Sequence, residues 1–266
     1  LVLPSACAAS AAMVPGVEVV GADTLGQVVA WLRGQLTLGP HAANPRRSPP
    51  SGVDLAEVRG QGVARRALEI AAAGAHHVLL VGPPGCGKSM LARRLPTILP
   101  PMTFAEALQT TRVHSAANLL DGDALLEERP FRAPHHSVTI AGLVGDQTLR
   151  PGELSLAHNG VLFLDEAPEF SRGAVEVLRQ PLEDGVLTLS RARGTVQYPA
   201  AITLVLAANP CPCGQRGSGP CDCGDAAVGR YMRRLSGPIL DRIDLHVELG
   251  PVPHATLVDG APGEPS

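Results

Sequence analysis

Three largely apolar runs, Val78–Val81, Val161–Leu164 and Ile202–Ala207 (interrupted only by Thr203), mark out the middle of this 266-residue chain. None alternates with polar residues, so each predicts a strand covered on both faces, as parallel strands between helices are. Helical signals fall between them. Ala64–Ala73 is apolar and alanine-rich, Met90–Leu95 extends a helix that Pro96 should stop, and Thr103 with Glu106 forms a capping box opening a helix toward Val113. Glu153–His158 reads as a short helix ended by Asn159 and Gly160; Ser171 caps another that runs through Glu183 to Asp184 and Gly185. Val186–Ser190 and Thr195–Tyr198 alternate like a hairpin around Arg191–Gly194. Ala226–Arg234 predicts a helix, Ser236 the cap of a short one, and Leu245–Leu249 a last strand. The expected fold class is α/β, a central parallel sheet flanked by helices.

Upstream, Val17–Val20 suggests a strand, and Thr24 with Gln27 makes a second capping box opening a helix to about Arg33. One strand and one helix cannot close a core, so residues 1–39 are expected to end a unit that begins earlier. Pro40–Gly52, rich in Pro, Ser and Arg, reads as a linker, with the main domain over 53–253 and a further linker over 254–266. The first residue is Leu and the tail is rich in Gly and Pro, which suggests a piece of a longer protein.

Composition narrows the function without choosing it. A hydrophobic fraction of 45% is ample for a core, and no apolar run is long enough to span a bilayer, so no membrane partner is expected. The net charge of −3 excludes a globally basic nucleic-acid binder, and 3% aromatics argue against base-stacking platforms. Ser5–Ala12 looks superficially like a signal peptide but lacks a basic n-region. Six cysteines, four of them close together, suit a metal site or reduced thiols better than a secreted disulfide framework, and a cytoplasmic location follows.

The strongest chemical signal is Gly82-Pro83-Pro84-Gly85-Cys86-Gly87-Lys88-Ser89, which fits G-x-x-x-x-G-K-[ST] between a strand and a helix. Such a P-loop turns backbone N–H groups and a helix N-terminus toward a phosphate; Lys88 reaches the β- and γ-phosphates and the Ser89 hydroxyl sits on Mg²⁺. Asp165 and Glu166 end another buried run, which places them at the same sheet rim: Asp165 to hold Mg²⁺, Glu166 to polarise water. Asn209 follows the third run, where an amide could orient that water or simply start an Asn-Pro turn. Gln61 lies in Val58–Gln61, beside the nucleotide base or in an ordinary loop. Arg132, His135 and His136 cluster in Arg129–Gly145, a weak metal candidate that reads better as an exposed loop, either one for partner contact or a plain surface loop. Cys211, Cys213, Cys221 and Cys223 form two C-x-C pairs, suited to tetrahedral Zn²⁺ by residue type though not by the usual knuckle spacing. Arg191 and Arg193 at the hairpin tip could touch a phosphate backbone or be a solvated turn, and Arg242 could make an Asp/Arg surface pair or reach a neighbouring subunit.

Taken together, V-R-G-Q at Val58–Gln61, G-P-P-G-C-G-K-S, R-P-F-R-A-P-H-H-S, G-E-L-S-L-A-H-N-G-V-L-F-L-D-E, A-A-N-P-C-P-C-G and S-G-P-I-L-D-R-I-D-L resemble the magnesium-chelatase-like AAA+ ATPases, and within them the ComM/YifB competence-protein branch. The resemblance covers about Asp54 to Pro253. It implies a P-loop NTPase fold of AAA+ type with an inserted loop near Phe131–Gly145 and a presensor hairpin. It also implies Asp165 and Glu166 as the Walker B pair, Asn209 as sensor 1 and Arg242 as an arginine finger acting in trans. Residues 1–39 would be the end of a Lon-protease-like domain, and a helical lid would follow residue 266. The implied function is an ATP-driven hexameric motor on single-stranded or branched DNA, with Arg132 and the hairpin tip lining a pore. The alternatives are a motor remodelling a protein partner and an assembly module that binds ATP with negligible turnover.

Overall fold

A small parallel pair opens the chain: β1 (Val2–Pro4) and β2 (Val20–Ala22), joined through α1 (Ser5–Ala12). The computed structural model describes every residue except 13, 15, 42–51, 121–124, 193, 236, 254 and 257–262. β2 starts where the expected strand Val17–Val20 ends, because Val20 N–H is the group that meets a carbonyl of the first strand's lead-in, Leu1 O, at 2.9 Å. α2 (Leu25–Leu32) begins on the capping box expected from Thr24 and Gln27. Most of the expected linker lies outside the described residues.

The main unit follows in order: α3 (Gly62–Gly74), β3 (Val78–Val81), α4 (Lys88–Ile98), α5 (Phe104–Ala116), β4 (Phe131–Arg132), α6 (Ile140–Val144), α7 (Glu153–Leu156), β5 (Val161–Leu164), α8 (Arg172–Glu176), α9 (Arg179–Asp184), β6 (Val186–Arg191), β7 (Gly194–Pro199), β8 (Thr203–Ala208), α10 (Asp225–Met232), α11 (Gly237–Leu240) and β9 (Leu245–Glu248). Five strands form one parallel sheet in the order β4-β5-β8-β3-β9, while β6 and β7 make a separate antiparallel hairpin. β5 and β8 are buried throughout, as their largely apolar sequences require. One sheet face sends Val78, Leu80, Val161, Phe163, Val205 and Ala207 against α3 and α4. The other sends Leu79, Leu162, Leu164, Leu204 and Leu206 against the α6–α9 side, where hairpin residues Leu187 and Leu189 also pack. This is the α/β sheet-and-helix arrangement expected from the sequence, with the hairpin beside it.

Two prolines behave differently from expectation. Pro96 does not stop α4, which runs on to Ile98. A proline in the final turn forfeits one backbone bond, and Thr97 Oγ1 donates to Arg94 O at 2.7 Å, satisfying a carbonyl of that same turn. Conversely, the single helix expected from Ser171 to Glu183 is broken between α8 and α9. Pro181 has no N–H to offer Val177 O, and its ring would crowd that carbonyl, so the chain turns at Val177–Leu178.

Two histidines, His158 buried and His77 partly buried, hold strand ends as neutral acceptors. His77 Nδ1 accepts from Leu204 N at 3.1 Å, and His158 Nδ1 accepts from Ala201 N at 3.1 Å. Burial lowers both pKa values below the ordinary 6.5, outweighing the opposing pull of Asp244 on His77 and of Glu106 on His158. The unfolded chain therefore takes up protons at a pH where the folded chain still resists them, and this contribution to stability is lost as pH falls below 6.5. The melting temperature should accordingly drop between about pH 7.5 and 5.5, and drop less in His158→Asn, whose amide oxygen accepts without titrating. A melting temperature that is flat or rises over that interval contradicts this assignment.

Candidate active site

Parallel register brings three chain segments to one rim. Val81 lies opposite Ala208, and Leu164 opposite Leu206, so the residues that follow, Gly82, Asn209 and Asp165, emerge side by side. Gly82 N–H continues the ladder to Ala208 O at 3.1 Å. The loop needs its glycines: a Cβ on Gly82 would stand 2.7 Å from Leu249 O and 2.8 Å from Cys86 Sγ, and Gly87 enters α4 at φ +96°.

Lys88 opens α4 and is only 9% exposed, yet its hydrogen-bond partners are all neutral. Its Nζ donates to Gly82 O at 2.6 Å, Pro83 O at 2.9 Å and Asn209 Oδ1 at 3.1 Å. A buried cation among dipoles, with no ion pair to a carboxylate among the described residues, leaves the glycine loop positive and fit for an anion. One residue on, Ser89 Oγ donates to Asp165 Oδ2 at 2.6 Å. A hydroxyl converging with a carboxylate is the hard-oxygen donor set that Mg²⁺ takes, so these residues fit that ion.

Glu166 follows in left-handed backbone (φ 51°, ψ 43°), uncommon for a residue other than Gly. The turn swings its carboxylate out of the strand direction, and the group is half exposed at the rim. His136 Nδ1 stands 3.5 Å from Glu166 Oε2, and its ring lies tilted by 35° against that of His135 with centroids 4.0 Å apart. A cavity of about 270 Å³ opens here, lined by Ser89, Arg93, His135, His136, Asp165 and Glu166. The histidine pair thus faces the acidic end of the site. β4 carries it there by pairing with β5. Arg93 was not singled out in the sequence, although it lies one helical turn beyond Ser89 and so on the same face. Tyr231 was missed as well: burial raises its phenol above the ordinary range, against an opposing hydrogen bond from the Asn209 backbone.

Other expected residues are placed as follows. Gln61 Nε2 donates to Cys86 O at 3.1 Å and Gly250 O at 2.8 Å, tying the Val58–Gln61 segment to the phosphate loop. Arg242 contacts Glu183 and donates to Pro238 O at 2.6 Å, both in its own chain and away from the Lys88–Asp165 group. Arg132 does not project as a free loop cation: Nε and Nη2 bind Glu153 at 2.6 and 2.7 Å, a bidentate pair. Arg191 Nη2 donates to Gly145 O at 3.2 Å, while Arg193 and Ser236 lie outside the described residues. The sulfurs of Cys211, Cys213, Cys221 and Cys223 all lie within 4.8 Å of one another. Burial raises the Cys211 thiol, but backbone N–H groups of Arg216 and Gly214 and the neighbouring thiols outweigh it and bring it down to about 6.

The chain matches the family model of magnesium chelatase, subunit ChlI, over residues 54–257. It is 50% identical over 252 residues to an uncharacterized protein of Mycobacterium tuberculosis, covering 94% of this chain and 50% of that protein. Competence protein ComM of Haemophilus influenzae is 46% identical, covering 92% of this chain and 50% of ComM. A Holliday junction branch migration complex subunit, RuvB of a Synechococcus strain, is 34% identical over 158 residues, covering 56% of this chain and 34% of RuvB. Among solved structures, NtrX from Brucella abortus in complex with ATP aligns with TM-score 0.46 at 19% identity, covering 77% of this chain and 39% of NtrX. The chain therefore spans about half the length of the curated relatives it matches.

With a polyphosphate in the glycine loop, removing the Lys88 ammonium would delete about two charge-assisted hydrogen bonds. Lys88→Ala should weaken ATP binding by about 3 kcal/mol, roughly 100-fold, in calorimetric titration. Unchanged affinity in that variant contradicts the phosphate assignment.

Proposed function

The chain belongs to the family of magnesium chelatase subunit ChlI, and from that premise we propose that it is the AAA+ motor part of an ATP-hydrolysing ring that acts on DNA. One observation carries the nucleotide reading: Lys88 reaches Asn209 at 3.1 Å while Ser89 reaches Asp165 at 2.6 Å, so all four groups meet at one sheet rim. In this reading the loop of Gly82, Pro83, Pro84, Gly85, Cys86 and Gly87 cradles the triphosphate, and Gln61 anchors the segment beside it. Ser89 and Asp165 hold Mg²⁺, which when bound would offset phosphate charge. Glu166 takes a proton from water as its oxygen attacks the γ-phosphorus; the bond to the bridging oxygen breaks and ADP leaves with the electron pair. Asn209 orients the water or the γ-phosphate, and His136 steadies the Glu166 carboxylate.

The ring and its DNA substrate are the finer part of the proposal. ComM is named for competence and RuvB for branch migration, and this chain is similar to both. A groove of about 1350 Å³ supports a polyanionic partner, since Arg172, Arg230, Arg233 and Arg234 line it with Glu169 and Glu176. Arg234 is paired with Glu169; Arg172, Arg230 and Arg233 make no ion pair among the described residues. Arg242 would act on a neighbour's γ-phosphate only after leaving Glu183, which fits a finger set free by ring assembly. We assign residues 53–253 to the motor core, 1–39 to the end of a preceding domain and 254–266 to a connection onward. Six free cysteines support a reducing, cytoplasmic setting. A motor that remodels a protein partner is the second reading, since the family model is that of a chelatase subunit.

On the full-length protein, ATP turnover should rise several-fold with single-stranded or forked DNA and the DNA affinity should fall steeply with salt. Rates indifferent to DNA contradict the DNA motor and favour protein remodelling. Glu166→Gln should retain ATP affinity while turnover falls at least about 100-fold. If turnover is negligible in both wild type and Glu166→Gln, the protein is a nucleotide-dependent assembly module instead.

A further inference from the structure

The segment between β8 and α10 is long, carries no helix or strand, and is mostly exposed from Pro212 to Pro220. It buries only Cys211 and Gly214 in that stretch, so no apolar core of its own fixes it. Four thiols are what its two halves share. Cys211 Sγ stands 3.3 Å from Cys213 Sγ and 3.7 Å from Cys221 Sγ, Cys213 Sγ is 3.6 Å from Cys221 Sγ, and Cys223 completes a set lying within 4.8 Å. All four are free, not paired as disulfides. Four sulfurs bound to one zinc at about 2.3 Å form a tetrahedron with edges of about 3.8 Å, close to the separations present before any ion draws them together.

Local backbone geometry builds this convergence. Gly214 N–H donates to Cys211 O at 3.0 Å with Gly214 at φ +80°, closing the first C-x-C around its own centre. Gly219 N–H donates to Gln215 O at 3.0 Å, reversing the chain, and Arg216 pairs with Asp225 at 2.7 Å across the loop base. The second C-x-C is thereby returned to face the first. The turn also abuts the phosphate loop. A Cβ on Gly214 would meet Pro84 Cδ and Cγ at 3.0 Å and Asn209 Cγ at 3.8 Å, so the thiol turn is packed against both.

We propose that Cys211, Cys213, Cys221 and Cys223 bind one structural Zn²⁺ as a tetrathiolate, and that this knuckle braces Asn209 and Pro84 in the nucleotide site. The metal half stands on the sulfur geometry alone; the bracing half rests on the nucleotide reading above. Two C-x-C pairs hold each pair of ligands close on a short turn, which the Pro212 and Asp222 spacers allow without helix or strand.

The test is metal analysis of the full-length protein purified under reducing conditions, with thiol titration and ATP affinity measured on the same samples. The expected result is about one equivalent of zinc, four thiols unreactive until a chelator releases the metal, and tetrahedral thiolate absorption when Co²⁺ replaces it. Cys213→Ser and Cys221→Ser should each lose zinc, and chelator-stripped wild type covers the case in which a variant does not fold. Less than about half an equivalent of zinc, stoichiometric iron, or four freely reactive thiols would overturn the site. Metal removal should weaken ATP binding about tenfold by letting Asn209 and the loop drift; unchanged affinity overturns the bracing role. Lys88→Ala should keep its zinc while losing ATP, so failure of the nucleotide reading and failure of the zinc site are told apart.

Discussion

A buried ammonium whose hydrogen-bond partners among the described residues are all neutral is the constraint around which this structure is arranged. Lys88 is held by the carbonyls of Gly82 and Pro83 and by the Asn209 amide, all dipoles. A lone charge in such surroundings is costly unless dipoles solvate it, and those dipoles must come from a sheet rim that is itself fixed. β3, β8 and β5 supply that rim: their pairing sets Gly82 beside Asn209 and brings Asp165 within hydrogen-bond reach of Ser89. Packing on both faces of the sheet thus has a chemical consequence, because a one-residue slip in either pairing would separate the lysine from its amide or the serine from its carboxylate.

Around this centre, the acidic side and the cysteine side differ in how they are built. Glu166 is positioned by an unfavourable backbone conformation and faces the His135–His136 pair. Its carboxylate is half exposed, which leaves it free to meet water. Asn209, by contrast, is hemmed in by the Gly214 turn and by a hydrogen bond between its backbone and Tyr231. Exposure is thus placed at Glu166 and close packing at Asn209.

The sequence made the main chemistry legible because it is local. A glycine loop between an apolar run and a helix announces its own geometry, and buried strands ending in Asp165-Glu166 and Asn209 must share a rim once the sheet is parallel. Both capping boxes formed as written, since a cap involves residues three apart. What could not be read depended on partners distant in the chain. Arg132 looked available until β4 placed it against Glu153, and His136 gained meaning only when β4 paired with β5. The stop expected at Pro96 and the single helix expected from Ser171 to Glu183 failed for a related reason: what a missing N–H does depends on where in the helix the proline falls. The C-x-C spacing alone left the cysteines ambiguous, and the reversal at Gln215–Gly219 is what brings them together.

The most direct test is a structure of the full-length protein with Mg²⁺ and a non-hydrolysable ATP analogue. The account predicts that Lys88 Nζ exchanges the Gly82 and Pro83 carbonyls for phosphate oxygens, and that Ser89 and Asp165 part to share the ion. A nucleotide bound elsewhere, with the Ser89–Asp165 hydrogen bond intact, would contradict it.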